Sequence, residues 1–469
     1  MIDSSFGRDC DSSVLLTLII LWDDGPALIL DCSLILLVPA GGHCLRGAEG
    51  CATMFPISKV RANFPALALQ DDGRERIYVD NPAGTQVPLR VAEAVSGYML
   101  TSAANSGGHF RTSVETDRIT LKAHQDAALF LGAASAEEVI IGQSMTALTF
   151  HLSRSICRDF KPGDEIIITR MEHEGNVGPW LTIAEDMGLI VRWLDFNRES
   201  WQVEAEDLSA LLTDRTRLVA LNYASNMTGS INDVPLLSGI AKAAGALVFV
   251  DAVQLTPHHL VDVQTLGCDF LACSSYKFFG PHLGLLWGRA EILKALYPYK
   301  GRCVSDALPD RFELGTPQFE LLAGLSATID YFEDLGRSES TSTDRRTLIE
   351  TAYRMSRDYE EPLTNALIGG LKQIPGITIF GITNPNRVTH RVPTVSIRHD
   401  HVKPSEIANQ LAKQGIHVWH GHNYAYEPAR ALDLPLDEGV VRIGLAHYNT
   451  SGEVDAIIHQ VQKSVARAV

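Results

Sequence analysis

Asp251 and Lys277 are the two residues of this chain best placed to hold one small molecule. Asp251 follows an apolar run at residues 247–250, and Lys277 comes shortly after a second run at residues 270–273. Such short apolar runs, bounded by polar residues, are typical of strands buried in a parallel sheet. Open α/β sheets bind ligands at the carboxyl ends of their strands, so both side chains would face one ligand. From these residues alone, a helix-capping aspartate and a surface lysine remain the alternative.

The central part of the chain repeats this arrangement. Strand-like runs at residues 164–169, 189–194 and 217–221 alternate with helical patterns. A mostly parallel sheet with helices on both faces requires this alternation. The polar residues that follow strand ends are His173, Asn176, Ser225, Asn226, Asp251, Gln254, Ser275 and Lys277.

An anion site is indicated where the strand at residues 138–141 leads through small residues into a helix at residues 147–156. In this layout, backbone N–H groups and the positive end of the helix dipole point at the ligand. The chain contains no GxGxxG or GxxxxGK[ST] sequence, so a dinucleotide or P-loop site is not favoured.

The composition is that of an ordinary soluble globular protein. The 469 residues are 45% hydrophobic and 20% charged, with a formal net charge of −16. This acidic balance does not favour a surface for nucleic acid or for an anionic membrane. The eight cysteines form no CxxC pair and no Cys/His cluster with zinc spacing. We therefore expect no metal site and a reducing, cytoplasmic location.

The sequence divides into three expected parts. Residues 1–53 contain apolar runs broken by acidic residues and a Gly-Pro pair, which disfavour a spanning helix and a signal peptide. We interpret them as an extension outside the enzyme fold, with a membrane anchor as the alternative. Residues 54–340 would form an N-terminal arm and a large α/β domain. Residues 341–469 would form a small C-terminal α+β domain, because short strands occur there with a helix at residues 404–414 and a closing helix at residues 451–468.

Several segments, taken together and in order from about Tyr78 to the C-terminus, resemble the class V aminotransferase superfamily of fold-type I pyridoxal-phosphate enzymes. The resemblance is to its cysteine desulfurase and selenocysteine lyase branch in particular. It implies that the large domain carries a mostly parallel seven-stranded sheet. The matching segments are Met171-Glu172-His173 with Asn176, Ser225-Asn226, Asp251 with Gln254, Cys268-Asp269-Phe270, Lys277 with Gly280-Pro281, Gly315-Thr316-Pro317, and Arg442 with Tyr448-Asn449-Thr450.

The resemblance implies pyridoxal 5'-phosphate as the cofactor and three catalytic residues. Lys277 would link to the cofactor aldehyde and move protons at the substrate Cα. Asp251 would keep the pyridine nitrogen protonated. His173 would stack on the ring and serve as acid or base, since its ordinary pKa of about 6.5 suits both roles.

The resemblance also implies one set of residues that bind the cofactor and a second set that bind the substrate. In the second set, Arg442 would bind the substrate carboxylate through two parallel hydrogen bonds. Tyr276 stands where desulfurases usually have a histidine, and Thr316 would come from a second subunit. The residues implied to hold the cofactor are Met145, Thr146, His173, Asn226, Asp251, Gln254, Ser275, Tyr276, Lys277 and Thr316. The residues implied to hold the substrate are Asn81, Asn176 and Arg442.

One departure from the desulfurase pattern bears on the reaction. Desulfurases carry a mobile cysteine in the small domain that takes sulfur as a persulfide, whereas the corresponding stretch here, residues 418–426, has Tyr424 near that place. No cysteine follows Cys303. We therefore expect a homodimeric C–S lyase, with shared active sites, that acts on an amino acid by β-elimination. An aminotransferase, an epimerase and a cofactor-binding protein without turnover stay as alternatives, and the pair of Lys277 and Asp251 argues against the last.

Overall fold

The strands and helices lie within residues 55–466, the part of the chain that the computed structural model describes. Residues 1–54 and 467–469 lie outside the described residues, and so does the predicted extension at residues 1–53. The strands are β1 Gln70–Asp71, β2 Arg74–Glu75, β3 Ile77–Tyr78, β4 Val139–Gly142, β5 Glu165–Thr169, β6 Ile190–Leu194, β7 Thr216–Asn222, β8 Leu247–Asp251, β9 Phe270–Ser274, β10 Gly284–Gly288, β11 Ile377–Phe380, β12 Thr394–His399, β13 Ile416–His417, β14 Trp419–Gly421 and β15 Val440–Gly444. The α-helices are α1 Ile57–Ala62, α2 Leu89–Thr101, α3 Arg111–Leu131, α4 Met145–Cys157, α5 Gly178–Met187, α6 Ala205–Leu211, α7 Val234–Ala243, α8 Ala290–Ala295, α9 Phe319–Arg337, α10 Arg345–Lys372, α11 Pro404–Ala412, α12 Tyr426–Ala431 and α13 Ser451–Ala466.

A seven-stranded sheet forms the centre of the fold, in the order β4-β10-β9-β8-β7-β5-β6. Its pairs from β9 to β6 are parallel, and β10 runs antiparallel to both of its neighbours. The predicted mostly parallel α/β sheet is therefore confirmed. The two apolar runs that precede Asp251 and Lys277 are β8 and β9, which pair directly with Phe249 opposite Phe270. Because these neighbours are parallel, both strands deliver their next polar residues to the same edge.

The alternating side chains of β8 show how the sheet is buried on both faces. Val248 and Val250 pack into a core with residues of α3, α9 and α10, while Phe249 packs into a second core with α4 and α5. All three side chains are fully buried. Burial of one such side chain contributes roughly 1.5–3 kcal/mol. The strand that carries Asp251 is thus fixed from both sides.

A second sheet of four antiparallel strands, in the order β11-β12-β15-β14, follows in the C-terminal part. Helices α10, α11 and α13 pack against it through a third core that includes Ile397, Ile407, Val441 and Ile457. The described residues belong to one compact unit, so a domain boundary at residue 340 stays a prediction. Within residues 55–466, no helix is long and apolar enough to cross a membrane.

Candidate active site

The carboxyl ends of β8 and β9 open into a cavity that we call the strand-end cavity. Most of the residues implied to hold the cofactor meet there. It is lined by Met145, Thr146, His173, Asn222, Ala224, Asn226, Asp251, Val253, Gln254, Ser274, Tyr276 and Lys277. The sheet geometry thus brings together residues that are more than a hundred positions apart in the chain.

Lys277 is a buried amine held by backbone carbonyl groups. Its Nζ donates hydrogen bonds to the carbonyl oxygens of Pro82 and of Ala83, the latter at 3.0 Å. Burial, and then the charge of Arg442, lower the pKa of Lys277 to about 7. At neutral pH a large share of this amine is therefore uncharged, which is the form that attacks an aldehyde.

Asp251 is a buried carboxyl group that forms no ion pair within the described residues. Its Oδ1 accepts the backbone N–H of Val253 at 2.8 Å. Burial raises the pKa of Asp251 to about 6. A cationic group placed against this carboxylate would favour its charged form and lower that pKa. The position suits a ring nitrogen that must stay protonated.

His173 presents a neutral ring to the cavity. Its Nδ1 accepts the N–H of Gly175 at 2.9 Å, so the neutral imidazole carries its proton on Nε2. Burial, followed by the charges of Lys277 and Arg442, lowers the pKa of His173 to about 3. The pKa of His173 thus lies below the ordinary value of about 6.5, and its role as acid or base stays a prediction. A neutral imidazole suits stacking on an aromatic ring, and its proton is available from Nε2.

The start of α4 supplies the anion end of the cavity. The Ser144 side chain accepts the N–H of Ala147 at 3.1 Å, while the first N–H groups of a helix, here those of Met145 and Thr146, have no partner within it. A Cβ at Gly284 would overlap backbone atoms of Ser144 and Met145. Glycine is therefore required on β10 for the turn to pack against the sheet.

This donor set fits pyridoxal 5'-phosphate. Asp251 can face the pyridine nitrogen, and helical N–H groups can face the phosphate. The buried Oδ1 of Asn226 has no partner among the described residues, so a polar atom of the cofactor would satisfy it. Gln254 donates to the carbonyl oxygen of Pro82 at 2.8 Å and borders the same space. Lys277 completes the set with an amine of lowered pKa.

Two predicted cofactor residues lie elsewhere. The Ser275 hydroxyl donates to the carbonyl oxygen of Pro281, so its side chain is used within the loop. Its neighbour Ser274 lines the cavity, and the role of Ser275 toward the phosphate stays a prediction. Thr316 borders a separate cavity of about 210 Å³ with Gln143 and other residues. Its expected role toward a second subunit stays a prediction.

Two of the three predicted substrate residues are internal hydrogen-bonding residues. Asn176 donates to Glu172 at 2.8 Å and accepts from the indole of Trp180 at 3.0 Å. Asn81 donates to the carbonyl oxygen of Gly444 at 2.7 Å. Both are buried, and neither borders a cavity described here. The structure therefore does not support direct contact of either asparagine with a substrate.

Arg442 does reach the ligand space, in a wider cavity of about 680 Å³ that we call the outer cavity. Its Nη1 donates to the carbonyl oxygen of Asn226 at 3.2 Å, its Nη2 lies 3.5 Å from Asp80 Oδ1, and its buried Nε has no described partner. A carboxylate can use that remaining donor. The lining is Pro82, Ala83, Thr146, Phe150, His173, Glu174, Gly175, Gly178, Asn226, Tyr276, Lys277, Trp419, Asn423, Tyr424 and Arg442. The two cavities share five of these residues, Lys277 among them.

Tyr424 lies near the position at which the resemblance to desulfurases implies a persulfide-forming cysteine. Its ring centroid lies 5.6 Å from that of His173, and its carbonyl oxygen accepts the N–H of Glu174 at 2.8 Å. No cysteine of residues 55–466 lines either cavity, and Cys303 is exposed elsewhere. Phe150, Glu174 and Trp419 also line the outer cavity, and none of them stood out in the sequence.

Comparison with known proteins agrees with this geometry. The family model of class V aminotransferases matches residues 77–457. A cysteine desulfurase from Pectobacterium carotovorum is 33% identical over 426 residues, covering 87% of this chain and 98% of that protein. A cysteine desulfurase from Yersinia pseudotuberculosis is 33% identical over 425 residues, with the same coverage.

Solved structures give the same result. A cysteine desulfurase from Escherichia coli superposes with a TM-score of 0.76 at 27% identity, covering 89% of this chain and 100% of the other. The apo cysteine desulfurase of Thermococcus onnurineus gives a TM-score of 0.78 at 27% identity, with coverage of 89% and 99%. Fold and site thus define a fold-type I enzyme that depends on pyridoxal 5'-phosphate. The chain belongs to the class V aminotransferase family, and its relatives include cysteine desulfurases.

Proposed function

We propose that this enzyme is a C–S lyase, which releases a thiol from a sulfur-containing amino acid by β-elimination. The observation that carries the proposal is that Tyr424, and no described cysteine, faces the cavity shared by Lys277 and Arg442. β-Elimination of a sulfur leaving group needs no thiol on the enzyme. The cysteine desulfurases among the relatives support sulfur chemistry at Cβ.

The residues of the site have distinct tasks in this proposal. The cofactor supplies the electron sink that acidifies the substrate Cα–H. Arg442 binds the substrate carboxylate through its free Nε–H, which fixes the Cα–H relative to Lys277. The uncharged amine of Lys277 removes that proton, because its pKa of about 7 leaves it a base at neutral pH. His173 covers the ring and can donate from Nε2.

The test is product analysis with cysteine, cystine and S-alkylcysteines. We expect pyruvate and ammonia in equal amounts, together with sulfide from cysteine, thiocysteine from cystine and a thiol from each S-alkylcysteine, and no added acceptor should be needed. Alanine together with an enzyme-bound persulfide would refute the proposal. An oxo acid that forms only with an amino acceptor would indicate transamination, and loss of optical activity alone would indicate epimerisation.

Two lysine variants test the assignment of the attachment site. Wild-type protein with cofactor should be yellow, and Lys277→Ala should lose the covalent linkage, measured by borohydride reduction and peptide mass. Lys294→Ala removes an exposed lysine of α8 and should change neither colour nor linkage. A linkage that survives in Lys277→Ala would contradict the assignment.

We also propose that the active form is a homodimer with shared sites. Thr316 lies outside the strand-end cavity, beside Leu314, whose side chain is 55% exposed. A reducing, cytoplasmic location belongs to the same proposal, since the cysteines of residues 55–466 are free thiols. If Thr316 serves the partner, mixing the inactive Lys277→Ala protein with Thr316→Ala should restore activity, because one site of each mixed dimer would be intact. No recovery after subunit exchange would refute shared sites.

A further inference from the structure

Glu174 gives the outer cavity a negative charge that the proposed chemistry does not use. Its side chain is half-buried and has no hydrogen bond or ion pair within residues 55–466. A Cβ at Gly178 would lie 3.4 Å from Glu174 Oε1 and 3.8 Å from Phe150 Cζ, so carboxylate and ring flank one point of the wall. Burial and the nearby charge of Glu427 raise the pKa of Glu174, so a cation placed against this carboxylate would stabilise its charged form.

Three aromatic side chains border the same space. Phe150, Trp419 and Tyr424 are 41%, 58% and 67% exposed, although large aromatic rings are usually buried. They all line the outer cavity. The faces of such rings attract cations, and a carboxylate beside them adds a charge partner of opposite sign. The wall around Glu174 therefore has the composition of a cation-binding surface.

The charged lining residues indicate which group of a bound amino acid lies at each end of the outer cavity. Arg442 is the permanently charged cation of the lining and Lys277 is the amine used at the cofactor, while Glu174 is the acidic lining residue. The carboxylate of an amino acid substrate pairs with Arg442, and its amino group is used at the cofactor. Glu174 is thus left for a group further along the side chain. The outer cavity of about 680 Å³ includes space beside Lys277 and His173 that the cofactor would use, and its lining continues beyond them to Glu174, Trp419 and Tyr424, where a longer side chain can lie.

We propose that the substrate is a cysteine derivative whose sulfur substituent ends in a cationic group, which pairs with Glu174 between the three aromatic rings. The reaction itself rests on the proposed C–S lyase function. The Cα proton is removed, the Cβ–S bond breaks with its electron pair passing to sulfur, and the sulfur takes a proton. Water then converts the remaining fragment to pyruvate and ammonium.

The test compares three cysteine derivatives that differ at the end of the substituent. S-(2-aminoethyl)cysteine is cationic, S-propylcysteine is a neutral analogue of the same length, and S-carboxymethylcysteine is anionic. We expect kcat/KM to be about tenfold higher for the cationic than for the neutral compound, which corresponds to ~1.4 kcal/mol, and lowest for the anionic one. Equal values for the cationic and neutral compounds, or a preference for the neutral one, would overturn the proposal.

Two matched variants test whether Glu174 causes the preference for the cationic compound over the neutral one. Glu174→Gln keeps the size of the side chain and should reduce the tenfold ratio to near one. Glu185→Gln removes the same charge from the exposed face of α5 and should leave the ratio unchanged. A ratio that persists in Glu174→Gln, or that falls equally in both variants, would show that Glu174 does not select the substrate.

A binding measurement separates this inference from the proposed function. Calorimetric titration of cofactor-loaded Lys277→Ala gives the Kd of each compound without turnover, and the same titration of the double variant with Glu174→Gln gives the contribution of the carboxylate. If no compound is cleaved by wild type, the C–S lyase proposal fails. A Kd about tenfold lower for the cationic compound, lost in the double variant, would still support the cation site, and equal Kd values would refute it.

Discussion

The lowered pKa of Lys277 predicts how the rate of cofactor capture by the apoenzyme depends on pH. Only the uncharged amine attacks the cofactor aldehyde, so the rate follows the neutral fraction of Lys277. With a pKa of about 7 instead of the ordinary 10.5, the neutral fraction is about 9% at about pH 6 and about 91% at about pH 8. The rate should therefore rise about tenfold between these values and then level off.

An ordinary lysine would behave differently over the same range. Its neutral fraction would rise about a hundredfold from about pH 6 to about pH 8 and would keep rising toward pH 10. The assay is stopped-flow absorbance after mixing apoenzyme with cofactor. The reaction of the cofactor with a simple alkylamine, corrected for that amine's own neutral fraction, gives the pH dependence of the cofactor itself. A rate that continues to rise steeply above pH 8 would refute the lowered pKa.

The cause of the shift can be tested by the same measurement. After burial, the charge of Arg442 is the next cause that lowers the pKa of Lys277, whereas the charge of Asp80 raises it. Arg442→Gln should therefore move the midpoint of the pH profile upward. Asp80→Asn should move it downward, toward more acidic pH. Opposite shifts would show that the charges around Lys277 are arranged differently from the structure.

Three further predictions concern the residues that surround the cofactor. Ser274→Ala should weaken cofactor affinity, measured by titration of the apoenzyme. Ser275→Ala should instead lower the free energy of unfolding by about 1 kcal/mol with affinity unchanged; the reverse pattern would support the predicted role of Ser275 toward the phosphate. Asn176→Ala leaves buried partners such as Trp180 unpaired, so it should lower the free energy of unfolding by about 1–3 kcal/mol for each partner, without raising KM. A raised KM with unchanged stability would show that Asn176 binds the substrate. Gly284→Ala should lower both stability, by about 1–3 kcal/mol, and cofactor affinity, because the new Cβ displaces the start of α4; unchanged affinity would contradict that placement.

The sequence predicted the meeting of Asp251 and Lys277 because neighbouring parallel strands end at one edge of a sheet. Strand β10 escaped notice, since only Leu285, Leu286 and Trp287 separate its flanking glycines. Its first glycine is needed for the close approach of the turn before α4, which is a contact between distant parts of the chain. Such a contact leaves no periodic pattern in the sequence.

Ser275 and Asn176, which the structure places outside the lining of both cavities, could not be placed from the sequence for a different reason. Ser274 and Ser275 are adjacent and chemically identical, so only the geometry of the turn after β9 decides which hydroxyl faces the cavity. Asn176 follows a strand end, as binding residues often do, but its partners are inside the protein. The spacing of four residues to Trp180 was a usable sign, because side chains four apart lie on one face of a helical turn. No spacing or motif in the sequence distinguished Glu174 as a residue of the cavity.

The backbone around Tyr424 is fixed by its conformation and by hydrogen bonds, unlike the mobile loop that a sulfur-transferring residue needs. Asn423 and Tyr424 adopt positive φ angles of 54° and 57°, a conformation that costs energy unless the surroundings maintain it. The carbonyl oxygen of Asn423 accepts from Asn226 at 2.8 Å, and that of Tyr424 accepts from the backbone of Glu174 at 2.8 Å. A residue that transfers sulfur must move between substrate and acceptor. Because the backbone of this segment is hydrogen-bonded to loops after two strands of the large sheet, we expect Tyr424 to stay at the wall of the outer cavity during the proposed elimination, which needs no residue that carries sulfur away.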